Sequence, residues 1–334
     1  MLLWFDKLYY DSRFFIGDDL YHRVFKMVNY VSLATAVQHI SPDSIMSNSS
    51  GNAAMFGFSV ALVFCNTLTV VRYLEIWLNL TDSPAAQAVA KRNMLYKVLP
   101  TSLYLAATIL SGTAHFGSSP DDAITDVPIG LCIAAVIVDK LSTLYTVVMK
   151  SKGRITDDVG INIAYVIHRI GEWTILIMGE AILSLLIVEV VATWDFYLTF
   201  YAGVISVILL EYLHFRSQPH HVDEHAMRRS VLKSYVFTLL MQCYSAALIL
   251  LGVSYKMLLT EYVLGNDDRG DETPSQYGSA TGLSSEVRRQ RLARLFGLSM
   301  ASVWACSDAM MLMHADWRHN LKRTRKSFVG TMLV

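Results

Sequence analysis

The sequence predicts an all-α fold, a polytopic transmembrane helix bundle of about eight spans. Three observations predict it. Apolar stretches of about 20 residues, the length that crosses a bilayer, recur along the whole chain. The composition is skewed, with 53% hydrophobic and only 17% charged residues and a mean hydropathy of +0.38, where an average soluble domain carries roughly 25% charged residues. Lys and Arg concentrate in alternate connections between the apolar stretches, the pattern of the positive-inside rule. A large soluble helical protein is the competing class, and repeated bilayer-length stretches argue against it.

Taken in chain order, residues 53–71, 98–116 and 234–255 are clean spans without formal charge. Residues 23–40, 128–149, 161–190, 196–215 and 292–314 are apolar but interrupted by ionisable side chains. Connections 41–52, 117–127 and 190–195 contain no Lys or Arg. The connections between them hold Lys91, Arg92 and Lys97, then Lys150, Lys152 and Arg154, then Arg216, Arg228, Arg229 and Lys233. This places both termini in the cytoplasm. Arg318, Lys322, Arg323, Arg325 and Lys326 after the last span agree. Connection 256–291 carries Arg269, Arg288, Arg289 and Arg291 on the predicted outer side, but long connections obey the rule weakly.

The chain reads as a single transmembrane domain over 1–334, with 265–290 a polar loop rich in Gly, Ser and Thr that has too little to bury to order itself. An internal echo suggests repeat halves at 18–150 and 157–316. Asp18-Asp19-Leu20 answers Asp157-Asp158-Val159, Leu74-Glu75 answers Leu210-Glu211, and Asp139 answers Asp308. With four helices each, the halves would be a 4+4 parallel repeat, a plan known among transporters.

The net charge of zero gives no case for nucleic acid. Cys65, Cys132, Cys243 and Cys306 all lie in apolar spans, so neither a disulfide framework nor a Cys/His zinc spacing is present. Charges and aromatics in the first residues replace the apolar run of a signal peptide. Asn48 begins a glycosylation sequon on a predicted outer loop, whereas the sequon at Asn79 falls on the cytoplasmic side.

The ionisable residues inside the spans are the candidate site. Arg169, Glu172 and Glu180 share one apolar helix and one side of it. At about 100° per residue Arg169 and Glu180 agree within about 20°, separated by roughly 16 Å of rise. A carboxylate at such depth costs several kcal/mol unless neutralised, paired or wetted. Asp139 and Lys140 lie near the middle of the fourth span, and Asp308 in the inner half of the last. Arg72 and Glu75 stand i,i+3 at the end of the second span and can pair on one face. Glu211 and His214 end the sixth. Each has two readings, an ion or solute path open to the cytoplasm or structural pairing between helices. Arg169 requires a nearer partner than Glu180. Glu172 on its own helix and Glu75 and Glu211 on others are the candidates, and an inter-helix pair is favoured.

His214, His220, His221 and His225, with His314 and His319 after the last span, read as solvated side chains near basic residues. No HExxH or GxSxG pattern is present. His115 is placed a bilayer away from His314 and His319, against a membrane zinc hydrolase built from them. The residues imply no metal and no cofactor.

The run Arg169–Ala181, RIGEWTILIMGEA, resembles the signature of the low-temperature-requirement A (LtrA) family, an R-x-G followed in the same apolar helix by G-E. Arg169, Gly171, Gly179 and Glu180 fall on its positions, and His168 stands where the family has a Glu. The segment YDSRFFIGDDLYHR resembles the family's Y-x-N-R-F-D-T-D-D-x-x-x-R, with Asp18, Asp19 and Arg23 in place and Arg13 displaced by one position. The resemblance implies that the chain starts late in the family's second helix, as an N-terminally shortened member. It supports architecture, since the family's activity is poorly defined.

The expected function is transport or conduction of a small solute or ion, with Glu180, Asp139 and Asp308 as carboxylates and Arg169 and Lys140 as their partners. A membrane scaffold or stress-related sensor is the alternative, and a membrane-embedded enzyme the third reading. The expected partners are the lipid bilayer and the small solute or ion, with a homo-oligomer open as the assembly.

Overall fold

A computed structural model describes residues 2–14, 20–40, 51–116, 126–156, 159–188, 194–219, 222–267 and 285–314. Among these residues the chain is all-helical, with ten α-helices. It divides into two compact units, Met1–Asn162 and Ile163–Val334.

The first unit holds α1 (Leu2–Phe14), α2 (Leu20–Gln38), α3 (Gly51–Asn79), α4 (Pro84–Phe116) and α5 (Asp126–Ser151). The turn between α3 and α4 is specified locally. Ser83 precedes Pro84, and its side-chain oxygen accepts from the Ala86 amide at 3.4 Å while its carbonyl accepts from Gln87 at 3.0 Å. A hydroxyl cap followed by proline at the first helical position is a strong start signal, because proline has no N–H to leave unpaired there. The short turn makes α3 and α4 neighbours, and α2, α4 and α5 pack against α3. Tyr10 and Phe14 of α1 join Tyr73 and Ile76 of α3 and Val89 and Ala90 of α4 in one apolar cluster. Tyr104 and Ala107 of α4 meet Cys132 and Ala135 of α5 in a second.

The second unit holds α6 (Ile163–Leu186), α7 (Trp194–Ser217), a 3₁₀ turn at Val222–Glu224, α8 (Ala226–Arg229), α9 (Val231–Asp267) and α10 (Ser285–His314). Helix α9 is its centre, packed by α6, α7, α8 and α10. At about 100° per residue, Val166, Ile170, Thr174, Ile177, Ala181 and Leu185 fall within an arc of about 100° on α6. These are buried residues of the helix. Helix α6 comes very close to α9 at Gly252, where an added Cβ would stand 3.1 Å from the Ala181 Cβ.

Among the described residues, six helices are long and apolar enough to cross a membrane: Ala53–Asn79, Pro84–Thr113, Val127–Ser151, Phe196–Ser217, Val231–Thr260 and Arg289–His314. Leu99, Ile133, Leu141, Ile208, Leu250 and Leu298 are exposed on them, while Arg72 and Asp139 are buried. Apolar outside and charge inside suits a lipid solvent. The two further expected spans coincide with α2 and α6 but do not meet the same measure. Helix α6 is interrupted by three charged side chains, Arg169, Glu172 and Glu180. The expected loop 265–290 is helical at its edges, since α9 runs to Asp267 and α10 begins at Ser285. Its remainder, Asp18, Asp19, Asn48, His220, His221, His319 and the basic C-terminal residues from Arg318 lie outside the described residues.

Candidate functional site

The densest buried charge of the first unit is centred on Lys97. Its ammonium lies 2.5 Å from Asp6 of α1 and 2.5 Å from Asp139 of α5. Asp139 also faces Lys140 at 3.4 Å. Two ammonium groups and two carboxylates thus form one chain, and the Lys97 and Asp139 side chains are only 12% and 13% exposed. The positive-inside reading puts Lys97 in a connection. The long α4 overturns this, because Ser83-Pro84 starts the helix well before the apolar stretch and carries Lys97 into it.

A second pair adjoins it. Arg72 of α3 reaches Asp11 of α1 at 3.2 Å, with both side chains buried. Its guanidinium lies over the Tyr10 ring, 4.0 Å from the centroid, and the Tyr10 hydroxyl donates to the Arg72 carbonyl at 3.4 Å. The spacing-based pairing of Arg72 with Glu75 is therefore corrected. Asp11 provides the acceptor, and Glu75 Oε2 is buried without a hydrogen-bond partner among the described residues. Lys7 lies 3.6 Å above the Tyr30 ring, and burial lowers its pKa. Helix α1 is thus fastened to α3 and α4 by charge as well as by Tyr10 and Phe14 in the apolar cluster.

In the second unit the α6 charges behave differently. Arg169 pairs with Glu172 on its own helix, and His168 Nε2 lies 3.0 Å from Glu172 Oε1. The favoured inter-helix partner for Arg169 is thus corrected, since the i,i+3 carboxylate is already within reach. Arg169, Glu172 and Glu180 sit roughly 90–170° around α6 from the centre of its buried arc, and Glu172 and Glu180 are exposed. Glu211 of α7 is half-buried and Asp308 of α10 is exposed, and neither joins an ion pair among the described residues. Arg23 of α2 is exposed. Gly171 faces Phe215, and an added Cβ at Gly179 would meet nothing within 4 Å.

The histidines also depart from expectation. His214 stacks on Tyr244 with centroids 5.2 Å apart, and His225 and His314 pack together at 4.4 Å. All three are buried rather than solvated. Among the described residues, no group of three or more His, Cys, Asp and Glu side chains could hold a metal ion.

The family model described as bacterial low temperature requirement A protein (LtrA) matches residues 2–319. The chain belongs to the LtrA family. It is a multi-pass integral membrane protein, by that match and by its apolar helices. No curated protein and no solved structure matches the chain.

Within this LtrA protein the expected candidates separate into sets. Asp139 and Lys140 come together, Arg169 and Glu172 come together, and Arg72 has a partner that spacing did not name. Asp6, Asp11 and Lys97 were missed. Their signal was present: Asp6 and Asp11 interrupt an aromatic-rich first helix, and Lys97 stands three positions before Pro100 at the edge of an apolar stretch.

Proposed function

We propose that this LtrA-family protein moves a small ion or solute across its membrane, using the buried chain Asp6–Lys97–Asp139–Lys140 as a polar intramembrane site. One observation carries the reading. Lys97 has two carboxylates and Asp139 has two ammoniums, so each can release one partner while keeping another. Stripping a buried charge of its sole partner costs about 3–5 kcal/mol. Alternative partners lower that cost, which suits a site that must admit and release charged cargo. The α6 stripe of Arg169, Glu172 and Glu180 is a second candidate region in the same reading, with Asp308, Glu75 and Glu211 as further carboxylates. Both termini are proposed to lie in the cytoplasm.

The scaffold or sensor reading has its own support. The two ammoniums and two carboxylates sum to no net charge, as a purely structural tie between helices would require. Purified protein in proteoliposomes, screened for flux of protons, metal cations and small anions, separates the two. Flux by the native chain that Asp139→Asn abolishes at unchanged melting temperature supports transport. No flux across the panel, together with a lowered melting temperature for Asp139→Asn, establishes the scaffold.

A further inference from the structure

The connection between α7 and α9 carries a device that the transport reading does not use. His225 stands at the N-cap of α8 in extended conformation, and its Nδ1 accepts from the Met227 amide at 3.3 Å. His314, the last residue of α10, accepts at Nδ1 from the Ala226 amide at 3.2 Å. A nitrogen that accepts carries no proton, so both imidazoles are neutral here, with the hydrogen on Nε2. Protonation would place an N–H on both nitrogens of a ring and turn each Nδ1 acceptor into a donor facing a donor. We propose that His225 and His314 form a pH-sensitive clasp, closed at neutral pH and above, that pins residues 222–229 to the end of α10.

The surroundings oppose positive charge on either ring. His225 and His314 are 1% and 5% exposed, and Phe237 of α9 packs on both, at 4.7 and 5.0 Å. The rings are 4.4 Å apart, so two imidazolium charges would repel. Arg229 of α8 and His214 of α7 face His314 and add repulsion. Asp223 of the 3₁₀ turn is exposed and paired with Arg228 at 3.0 Å, Glu224 is exposed and Lys233 is half-buried. Asp308 lies about 120° around α10 from His314. None of these carboxylates contacts the rings. Burial, reinforced by His314, lowers the His225 pKa to about 3.

The direction follows from linkage. Opened, each imidazole has an ordinary pKa of about 6.5, so the open form binds more protons than the closed form below that pH. The histidines favour closure fully above about pH 6.5, and below it each favours opening about tenfold more per pH unit as acidity increases.

Hydrogen exchange of the full chain in nanodiscs reads the two bonded amides directly. After correction for intrinsic exchange, protection at Ala226 and Met227 is expected to fall at least about tenfold per pH unit below about 6.5, with the mid-α9 amides near Met241 constant. In the double variant His225→Asn with His314→Gln, the side-chain oxygens can still accept without titrating, and the slope is expected to vanish. A flat profile in the native chain, or a slope that survives in the variant, overturns the clasp. Where the variant does not fold, the native slope measured against α9 decides alone.

Discussion

The Lys97 ammonium lies 2.5 Å from the Asp139 carboxylate and so ties α4 to α5 inside two helices of membrane-spanning length. Asp6 adds a third helix at the same distance. Lys97→Met removes the shared cation and leaves the buried Asp139 and half-buried Asp6 carboxylates facing each other, with Lys140 still beside Asp139. The expected loss is about 3–5 kcal/mol, the usual cost of stripping one partner from a buried pair. Adding Asp6→Asn and Asp139→Asn should restore much of it, because neutral amides need no counter-charge. Thermal unfolding in detergent measures both. A triple variant as unstable as Lys97→Met would show that packing, not charge, dominates at Lys97.

Arg72 provides a sharper test because two carboxylates compete for it on paper. The structure gives it Asp11, with both side chains buried. Exchanging the charges, Arg72→Asp with Asp11→Arg, should recover part of the loss caused by Arg72→Asp alone. The same exchange with Glu75 should recover none. Glu75→Gln alone should be neutral or stabilising, since Oε2 is buried without a hydrogen-bond partner and an amide there carries no charge to desolvate.

Why the sequence showed some of this and hid the rest can be read from these residues. Helices of bilayer length are recorded locally, as runs of apolar side chains, and so is a pair three positions apart such as Arg169 and Glu172. Lys97 and Arg72 each take a partner on α1, far away in the chain, and Lys97 another on α5, and spacing holds no information about which distant helix packs where. The start of α4 misled the topology reading because its polar first half looks like a loop to any apolar-window argument. Only the Ser83-Pro84 start signal marks it as helix. His225 and His314 show the same limit, because a basic, histidine-rich connection reads as solvated until α10 closes over it.

The α6 pair should behave unlike Lys97. Arg169 and Glu172 are 34% and 44% exposed, and an exposed i,i+3 pair contributes about 0.2–0.5 kcal/mol. Arg169→Ala should therefore lower the melting temperature far less than Lys97→Met in the same detergent. A loss equal to that of Lys97→Met would mean that the stripe is covered and its charge desolvated.

Topology is open to direct labelling. Tags inserted at Asn48 and at Gln218, which follows α7, are expected to react from opposite sides of sealed vesicles. Reaction from one side would require an odd rearrangement of the spans between them and would remove the cytoplasmic placement of both termini.

Two glycines on touching helices should respond with opposite signs. At Gly252 an added Cβ would stand 3.1 Å from the Ala181 Cβ and 3.2 Å from its Cα. Backbone cannot swing aside as a flexible side chain can, so α6 and α9 must part. Overpacking of this kind costs about 1–3 kcal/mol. Gly179 lies on α6 only two positions before Ala181, yet its added Cβ meets nothing within 4 Å. Replacing it with Ala removes backbone freedom from the unfolded chain and should gain about 0.5–1 kcal/mol. Gly252→Ala should thus melt below the native protein and Gly179→Ala at or above it. Flux lost in Gly179→Ala at undiminished stability would assign this LtrA-signature glycine to function. A Gly179→Ala variant as unstable as Gly252→Ala would mean instead that another surface packs on that face of α6.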